Sequence, residues 1–305
     1  MALDYDQFEA IKKEFADFVS INFRSSLLYS FFSGSVSYGG GEEVKSDIDF
    51  MIVLDNDVLI DKKKGDQVFD KILSFSEFYL NENNKYGFVP DLVFPGEYVT
   101  EGEIKDSIAG RGFESANHQL NLSASSDEYF LANEEHWFRA WLSMQAFSVF
   151  CSGNKEEFNR NKKEAWKTII LYLLVKNKYS EVSPTIILDY LTSGDDKRLE
   201  VGITKDYSLL KAREMSTVKE VMLELGAMGY LTSMGDIYNT VQLKIDEWQR
   251  KTSDKIESME VRTSEIYLDK TRLKILSKFV QDKNEKTKFR KWDRVDPQLA
   301  PGGRY

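Results

Sequence analysis

Two apolar runs, separated by a glycine-rich loop, constrain this chain more than any other feature. The first run ends at Gly34-Ser35, and the second, residues 47–54, opens with Asp47 and Asp49. Side chains two residues apart on a β-strand lie on the same face, so the pattern predicts that both carboxylates share one face. Mg²⁺ prefers oxygen ligands and is commonly bound by one or two carboxylates together with substrate phosphates. The sequence therefore favours a site for a divalent cation and a polyphosphate.

The same residues resemble the signature of the nucleotidyltransferase superfamily that includes DNA polymerase β, kanamycin-type antibiotic nucleotidyltransferases and poly(A) polymerases. The positions that match the pattern Gly-Ser-x-x-x-Gly, then Ser-Asp-x-Asp, are Gly34, Ser35, Gly39, Ser46, Asp47 and Asp49. That family also needs a third carboxylate on a later strand, and Asp91, within the apolar segment 88–94, is the candidate. The resemblance covers about residues 20 to 155, and its loop between Gly39 and Ser46 is slightly longer than the commonest form.

The resemblance implies a role for each matching residue. Asp47, Asp49 and Asp91 would bind Mg²⁺ (or Mn²⁺), which orients the triphosphate and lowers the pKa of an attacking hydroxyl. Asp91 could also accept the proton of that hydroxyl. Glycines in the loop let backbone N–H groups approach phosphate oxygens, and a serine hydroxyl can donate to the same oxygens. The residues expected to bind the nucleotide are Gly34, Ser35, Gly39 and Ser46, with Lys162 and Lys163 on a later helix.

The spacing of apolar residues predicts the order of the elements. The expected elements of the first part are a helix over 5–22, strands over 27–32, 47–54 and 88–94, a helix through 68–78, a loop-rich segment over 96–133 and a closing strand over 146–153. The predicted fold class is α/β, more narrowly α+β, with a mixed-sheet nucleotidyltransferase domain followed by a mainly helical C-terminal domain. The expected boundaries are 1–155 for the first domain, 156–282 for the helical domain and 283–305 for a basic, flexible tail.

The helical domain carries a second, weaker pattern. The expected elements are a strong helix from Phe158 to Leu174, short helices over 169–178 and 184–192, a helix around 217–225, a turn at 235–236 and a strand-like run over 238–243. Helices followed by a small hairpin are the layout of a winged helix. Its expected recognition helix carries Lys219, Glu220 and Glu224, a poor match to DNA phosphates, so a structural or protein-contact role is favoured over DNA reading.

Charge and cysteine content limit the environments that suit this chain. The net charge is −9, yet residues 270–305 hold eleven Lys or Arg against four Asp or Glu, which leaves the remainder near −16. The basic tail is expected to be a solvated segment, with an arm for nucleic acid as the alternative. The single cysteine fits a reducing compartment. With neither a signal peptide nor an apolar run of roughly 20 residues, the expected location is cytoplasmic, without membrane contact.

The expected function is the transfer of NMP from an NTP, with ATP the first choice, to an acceptor hydroxyl with release of pyrophosphate. The expected acceptor is a small molecule or unknown. A small molecule is favoured because the acidic body would attract a cation such as an aminoglycoside. The alternatives are an RNA or protein acceptor, a second nucleotide that gives an oligonucleotide messenger, and a non-catalytic nucleotide-binding or regulatory protein. The sequence leaves the preferred base and the oligomeric state open.

Overall fold

The computed structural model describes residues 5–38, 47–60, 62–88, 97–109, 141–192 and 208–258. Its elements are α1 (Tyr5–Asn22), β1 (Leu27–Phe32), a 3-10 helix (Ser35–Tyr38), β2 (Phe50–Leu54), α2 (Asp57–Ile60), α3 (Lys62–Lys85), β3 (Glu97–Thr100), α4 (Glu101–Ile108), β4 (Val149–Gly153), α5 (Lys155–Asn177), β5 (Glu181–Val182), α6 (Pro184–Thr192), α7 (Ser208–Ala227), β6 (Leu231–Met234), β7 (Ile237–Thr240) and α8 (Gln242–Ser258). Residues 141–146 are also helical. Helices and sheets are combined, as the sequence predicts for an α+β protein.

A mixed four-stranded sheet forms the first part of the molecule, in the order β3-β2-β1-β4. Strand β1 pairs antiparallel with both β2 and β4, whereas β2 pairs parallel with β3. All five residues of β2 are buried, because β2 lies inside the sheet and is covered on both faces. The ends of β1 and β2 that carry the predicted site therefore lie side by side.

Aromatic packing fixes the point at which these two strands separate. Phe32 ends β1, Phe50 begins β2, and the two residues are register partners. Phe15 of α1 contacts both, with ring centroids 5.2 Å from Phe32 and 4.8 Å from Phe50, and Phe75 of α3 lies 5.6 Å from Phe50. Such aromatic pairs add roughly 0.5–1.5 kcal/mol each beyond the area that they bury. The segment after Phe32 and the segment before Phe50 are therefore both anchored in this aromatic cluster.

A second core lies around α5, α6, α7 and a three-stranded antiparallel sheet in the order β5-β7-β6. Helix α5 is shared between the two cores, since Phe158 packs in the first and Trp166 in the second. Leu142, which precedes β4, also packs in the second core. Leu142 precedes the boundary predicted after residue 155 but packs in the second core, and Phe158 follows that boundary but packs in the first. The boundary therefore stays a prediction.

Several predicted elements have the expected bounds. Helix α1, strand β1 and helix α6 span the predicted ranges, and the predicted turn at 235–236 joins β6 to β7. The predicted helix over 169–178 is not separate but is the second half of α5. The strand-like run over 238–243 was predicted too long, because β7 ends at Thr240 and α8 begins at Gln242.

Three predictions in the sheet need correction. The closing strand predicted over 146–153 begins only at Val149, because the helix over 141–146 includes residue 146. The strand predicted over 47–54 begins at Phe50, so Asp47 and Asp49 precede β2 instead of lying in it. The loop predicted over 96–133 is wrong for residues 97–108, which form β3 and α4. Residue 109 is a turn, and the rest of that range lies outside the described residues. The sequence spacing Thr100-x-x-Glu103 matches the capping-box pattern, which is the signal that could have predicted a helix start at this point.

The third strand predicted over 88–94 falls almost wholly outside the described residues. Phe88 is described and is buried, but it lies in no strand. The strand that pairs parallel with β2 is β3, at 97–100, and its register matches Met51 with Glu97. Asp91 lies outside the described residues, so its predicted place on a strand stays a prediction.

Candidate functional site

The backbone at Gly34 lies directly against the side chain of Asp49. The N–H of Ser33 donates to the carbonyl of Asp49 at 2.9 Å, which continues the β1–β2 pairing beyond the strands. Gly34 has φ +62°, and a Cβ built there would lie 1.6 Å from Asp49 Oδ2. Glycine is therefore required at this position for two reasons: the left-handed backbone conformation and the space that the Asp49 carboxylate occupies.

A single turn follows Gly34 and is closed by Ser37. The N–H of Ser37 donates to the Gly34 carbonyl at 3.2 Å, and its Oγ donates to the same oxygen at 2.9 Å. Val36, between them in the chain, is buried and anchors the turn in the first core. The predicted nucleotide-binding residue Ser35 opens the 3-10 helix of this turn. The backbone of the turn is thus tied to the glycine that contacts Asp49.

Asp47 and Asp49 flank a buried isoleucine. Both aspartates are half-buried, whereas Ile48 is inaccessible to solvent. The N–H of Ile48 donates to Asn83 Oδ1 at 3.2 Å, and Asn83 Nδ2 donates to the Tyr79 carbonyl at 2.9 Å. Helix α3 therefore holds the aspartate segment by one buried amide. Burial alternates over these three residues, but they precede β2, so the shared strand face predicted for the two carboxylates is not observed.

The protonation of Asp47 reflects its surroundings. Burial raises the pKa of Asp47 to about 6, and a hydrogen bond from its own backbone opposes that rise. A raised carboxyl pKa means that the charged form is costly in the protein alone. A bound cation would offset that cost, so the two carboxylates suit Mg²⁺ in both chemistry and charge. Among the described residues no group of three His, Cys, Asp or Glu could hold a metal ion.

The remaining predicted motif residues lie outside the described residues. They are Gly39, Ser46 and the third carboxylate, Asp91. The part of the site that the structure describes therefore consists of Gly34, the turn that follows it, and the segment from Asp47 to Asp49. The predicted roles of the three other residues stay predictions.

The two lysines predicted to bind the nucleotide are both paired with carboxylates. Lys162 donates to Glu214 Oε1 at 2.9 Å and to the Ser148 carbonyl at 2.7 Å. Burial lowers the pKa of Lys162, and the attraction of Glu214 opposes that shift. Lys163 is paired with Glu220 and, at 3.9 Å, with Glu224. A role for either lysine in nucleotide binding stays a prediction.

Arg213 of α7 reaches the turn that follows Gly34, although sequence reasoning did not select it. Its Nη1 donates to the Ser37 carbonyl and its Nη2 to the Phe147 carbonyl, both at 2.7 Å, and its Nε donates to Glu214 Oε1 at 2.8 Å. Asn83 was missed as well. Its position four residues after Tyr79 places it on the apolar face of α3, which is the sequence signal that could have identified it.

Comparison of the chain with protein families, with curated proteins and with solved structures found no match. Among the described helices, none has both the length and the apolar character needed to cross a membrane.

Proposed function

We propose that this protein is a metal-dependent nucleotidyltransferase that moves NMP from an NTP to an acceptor hydroxyl. The observation that carries the proposal is the contact between Gly34 and the Asp49 carboxylate. It places a glycine turn and an Asp-x-Asp segment at one corner of a mixed sheet. Backbone N–H groups of such turns suit phosphate oxygens, and paired carboxylates suit the cation that accompanies a triphosphate.

Each residue has a defined task in the proposed reaction. Asp47 and Asp49, with Asp91, would hold Mg²⁺ (or Mn²⁺), which supplies charge neutralisation for the triphosphate and acidifies the attacking hydroxyl. Gly34 leaves room for the Asp49 carboxylate, and Ser35 offers a hydroxyl to the phosphates. Asn83 keeps the aspartate segment in place through the Ile48 N–H. Chemistry of this kind depends mainly on positioning and on electrostatic stabilisation.

The bond changes are those of an in-line displacement at phosphorus. The acceptor oxygen forms a bond to the α-phosphorus, the bond from that phosphorus to the α,β-bridging oxygen breaks, and pyrophosphate leaves with its electron pair. The acceptor proton passes to Asp91 in the proposed site. No covalent intermediate with the enzyme is required.

The proposed acceptor is a small molecule. The acidic charge of the chain outside its basic end supports a cationic acceptor, because a negative surface concentrates cations. An RNA, a protein or a second nucleotide is the alternative acceptor, and nucleotide binding without turnover is the alternative to catalysis.

The proposal is tested by incubating the protein with each α-labelled NTP and Mg²⁺ or Mn²⁺, alone and with cell lysate. The matched variants are Asp49→Asn, in the site, and Asp55→Asn, which follows the opposite end of β2. We expect label transfer and pyrophosphate release by the wild type and by Asp55→Asn, but not by Asp49→Asn. Equal turnover by Asp49→Asn would contradict the site. The labelled product identifies the acceptor, and binding without any product would favour the non-catalytic alternative.

A further inference from the structure

A buried cluster of charges connects α7 to α5. Glu214 is inaccessible to solvent, and its carboxylate accepts hydrogen bonds from Lys162, Arg213 and, at 3.2 Å, from Trp166 Nε1. Two cations thus share one anion. Lys162 also donates to the Ser148 carbonyl, so the cluster is hydrogen-bonded to the backbone just before β4.

Arg213 extends this cluster to the predicted nucleotide site. Its guanidinium donates in three directions, to Glu214, to the Phe147 carbonyl and to the Ser37 carbonyl. A planar guanidinium presents its N–H groups in a fixed fork, so its position is set once two acceptors are in place. Phe147 belongs to the second core, and Glu214 accepts a hydrogen bond from Trp166, which belongs to it as well. The other two contacts therefore fix the position of the third donor, Nη1, which reaches the Ser37 carbonyl in the turn that follows Gly34.

A continuous series of contacts runs from α7 to the aspartates. Arg213 contacts the Ser37 carbonyl, Ser37 contacts the Gly34 carbonyl through its N–H and Oγ, and Gly34 lies against the Asp49 carboxylate. A movement of α7 would therefore alter the turn that carries Ser35.

We propose that Arg213 is a positioning residue that holds the turn at residues 34–38 in the shape that binds the triphosphate, and so couples α7 to nucleotide binding. This inference rests on the proposed function for its nucleotide, but the coupling of α7 to the turn does not. Because coupling between two sites is reciprocal, nucleotide binding at the turn should in return protect α7.

Three variants distinguish the effect of the planar guanidinium of Arg213 from the effect of its positive charge and from a general effect of changing α7. Arg213→Ala removes the fork, and Arg213→Lys keeps the positive charge but not the planar arrangement of donors. The control is Lys211→Ala, which removes a cation from the same helix and breaks its exposed ion pair with Asp189. The melting temperature of each variant is measured first, and all other measurements are made well below it.

The first measurement is amide hydrogen exchange over residues 34–38 in the nucleotide-free protein. We expect exchange to rise several-fold in Arg213→Ala and in Arg213→Lys, and to be unchanged in Lys211→Ala. The second measurement is the Kd of Mg·ATP by calorimetry, which we expect to rise about tenfold in both Arg213 variants, equivalent to about 1.4 kcal/mol. A role in stability alone would lower the melting temperature and leave the Kd of the folded protein unchanged.

The outcomes separate this inference from the proposed function. Unchanged exchange at 34–38 in Arg213→Ala overturns the coupling, whatever the nucleotide result. Wild-type behaviour of Arg213→Lys overturns it too, since charge alone would then suffice. If exchange rises as expected but the wild type binds no NTP, the coupling of α7 to the turn stands and the proposed function fails.

Discussion

At position 34 the backbone has φ +62°, and the nearest side-chain atom to a Cβ built there belongs to Asp49. We predict that Gly34→Ala loses Mg·ATP binding, because the new methyl group must displace the Asp49 carboxylate. The matched control is Gly235→Ala, at φ +75° with no atom within 4 Å of the added Cβ. Both variants should lose about 1–2 kcal/mol in urea unfolding from the left-handed backbone, and only the first should lose binding. Equal binding by the two variants would contradict the contact.

Glu82 on α3 lies beside Glu14 and Lys85, and its protonation should affect stability. Burial, followed by the hydrogen bond and repulsion from Glu14, raises the pKa of Glu82 to about 7. Glu14 is held below its ordinary pKa, with its hydrogen bond to Glu82 as the largest cause, and the pKa of Lys85 is raised, chiefly by its hydrogen bond to Glu14. A pKa raised on folding stabilises the protein below the unfolded value, near 4.5, and that contribution is lost as the pH rises through about 7.

We predict that Glu82→Gln is more stable than the wild type at pH 8 and nearly equal to it at pH 5, because glutamine imitates the protonated acid at both values. The melting temperature at pH 8 should rise by roughly 2–4 °C, which corresponds to about 1 kcal/mol. The control is Glu77→Gln, which removes a carboxylate from the exposed side of the same helix. A gain that is the same at both pH values would contradict this account of Glu82.

Among the elements, α5 and α7 are joined by a buried ion pair whose loss should be costly. The exposed fraction of the side chain is 13% for Lys162 and 0% for Glu214. We predict that Glu214→Gln loses about 3–5 kcal/mol in urea unfolding, because Lys162 and Arg213 are left without their anion. The control, Asp189→Asn, breaks the exposed pair with Lys211 and should cost at most about 1 kcal/mol. Similar losses in the two variants would contradict the structural importance of Glu214.

The elements that could be predicted from the sequence are those whose apolar spacing is set locally. Helix α1 has its apolar residues at helical spacing, and β1 is a short apolar run that ends in Gly-Ser. Strand β3 has only four residues and owes its place to pairing with β2, so no local pattern identified it. The start of β2 was predicted three residues early because the alternation around Ile48 resembles that of a strand.

The residues of the candidate site also fall into those that local spacing identifies and those that depend on how the elements pack. Gly34, Asp47 and Asp49 belong to a local motif and could be selected from spacing alone. Asn83 and Arg213 act on the segments at Ile48 and Ser37, which lie 35 and 176 positions away in the chain. Helical spacing could have marked Asn83 as buried, but the segments that Asn83 and Arg213 contact depend on how the elements pack, and no spacing in a single sequence encodes that.

For the whole molecule, the uneven distribution of charge separates the classes of acceptor. Residues 270–305, which lie outside the described residues, carry a net charge of +7, against −16 for the remainder. We predict that truncation before Lys283 leaves the KM for the acceptor nearly unchanged, because a small cationic acceptor gains nothing from a basic arm. A nucleic-acid acceptor would instead give binding whose logarithm falls with the logarithm of salt concentration at about −0.7 to −0.9 per contacted phosphate. Salt-sensitive RNA or DNA binding that disappears on truncation would contradict the small-molecule assignment.

Gly34, Asp47 and Asp49 form the corner of the molecule that is proposed to bind a nucleotide together with Mg²⁺. The most direct test is calorimetric titration of ATP into the wild type, Asp47→Asn, Asp49→Asn and Asp55→Asn, each with Mg²⁺ and with EDTA. The account predicts Mg²⁺-dependent binding to the wild type and to Asp55→Asn, and none to the two site variants. The melting temperature of Asp47→Asn should equal or exceed that of the wild type without metal, because burial makes the charged form of Asp47 costly. Binding that persists in EDTA, or that is equally strong in both site variants, would contradict the claim.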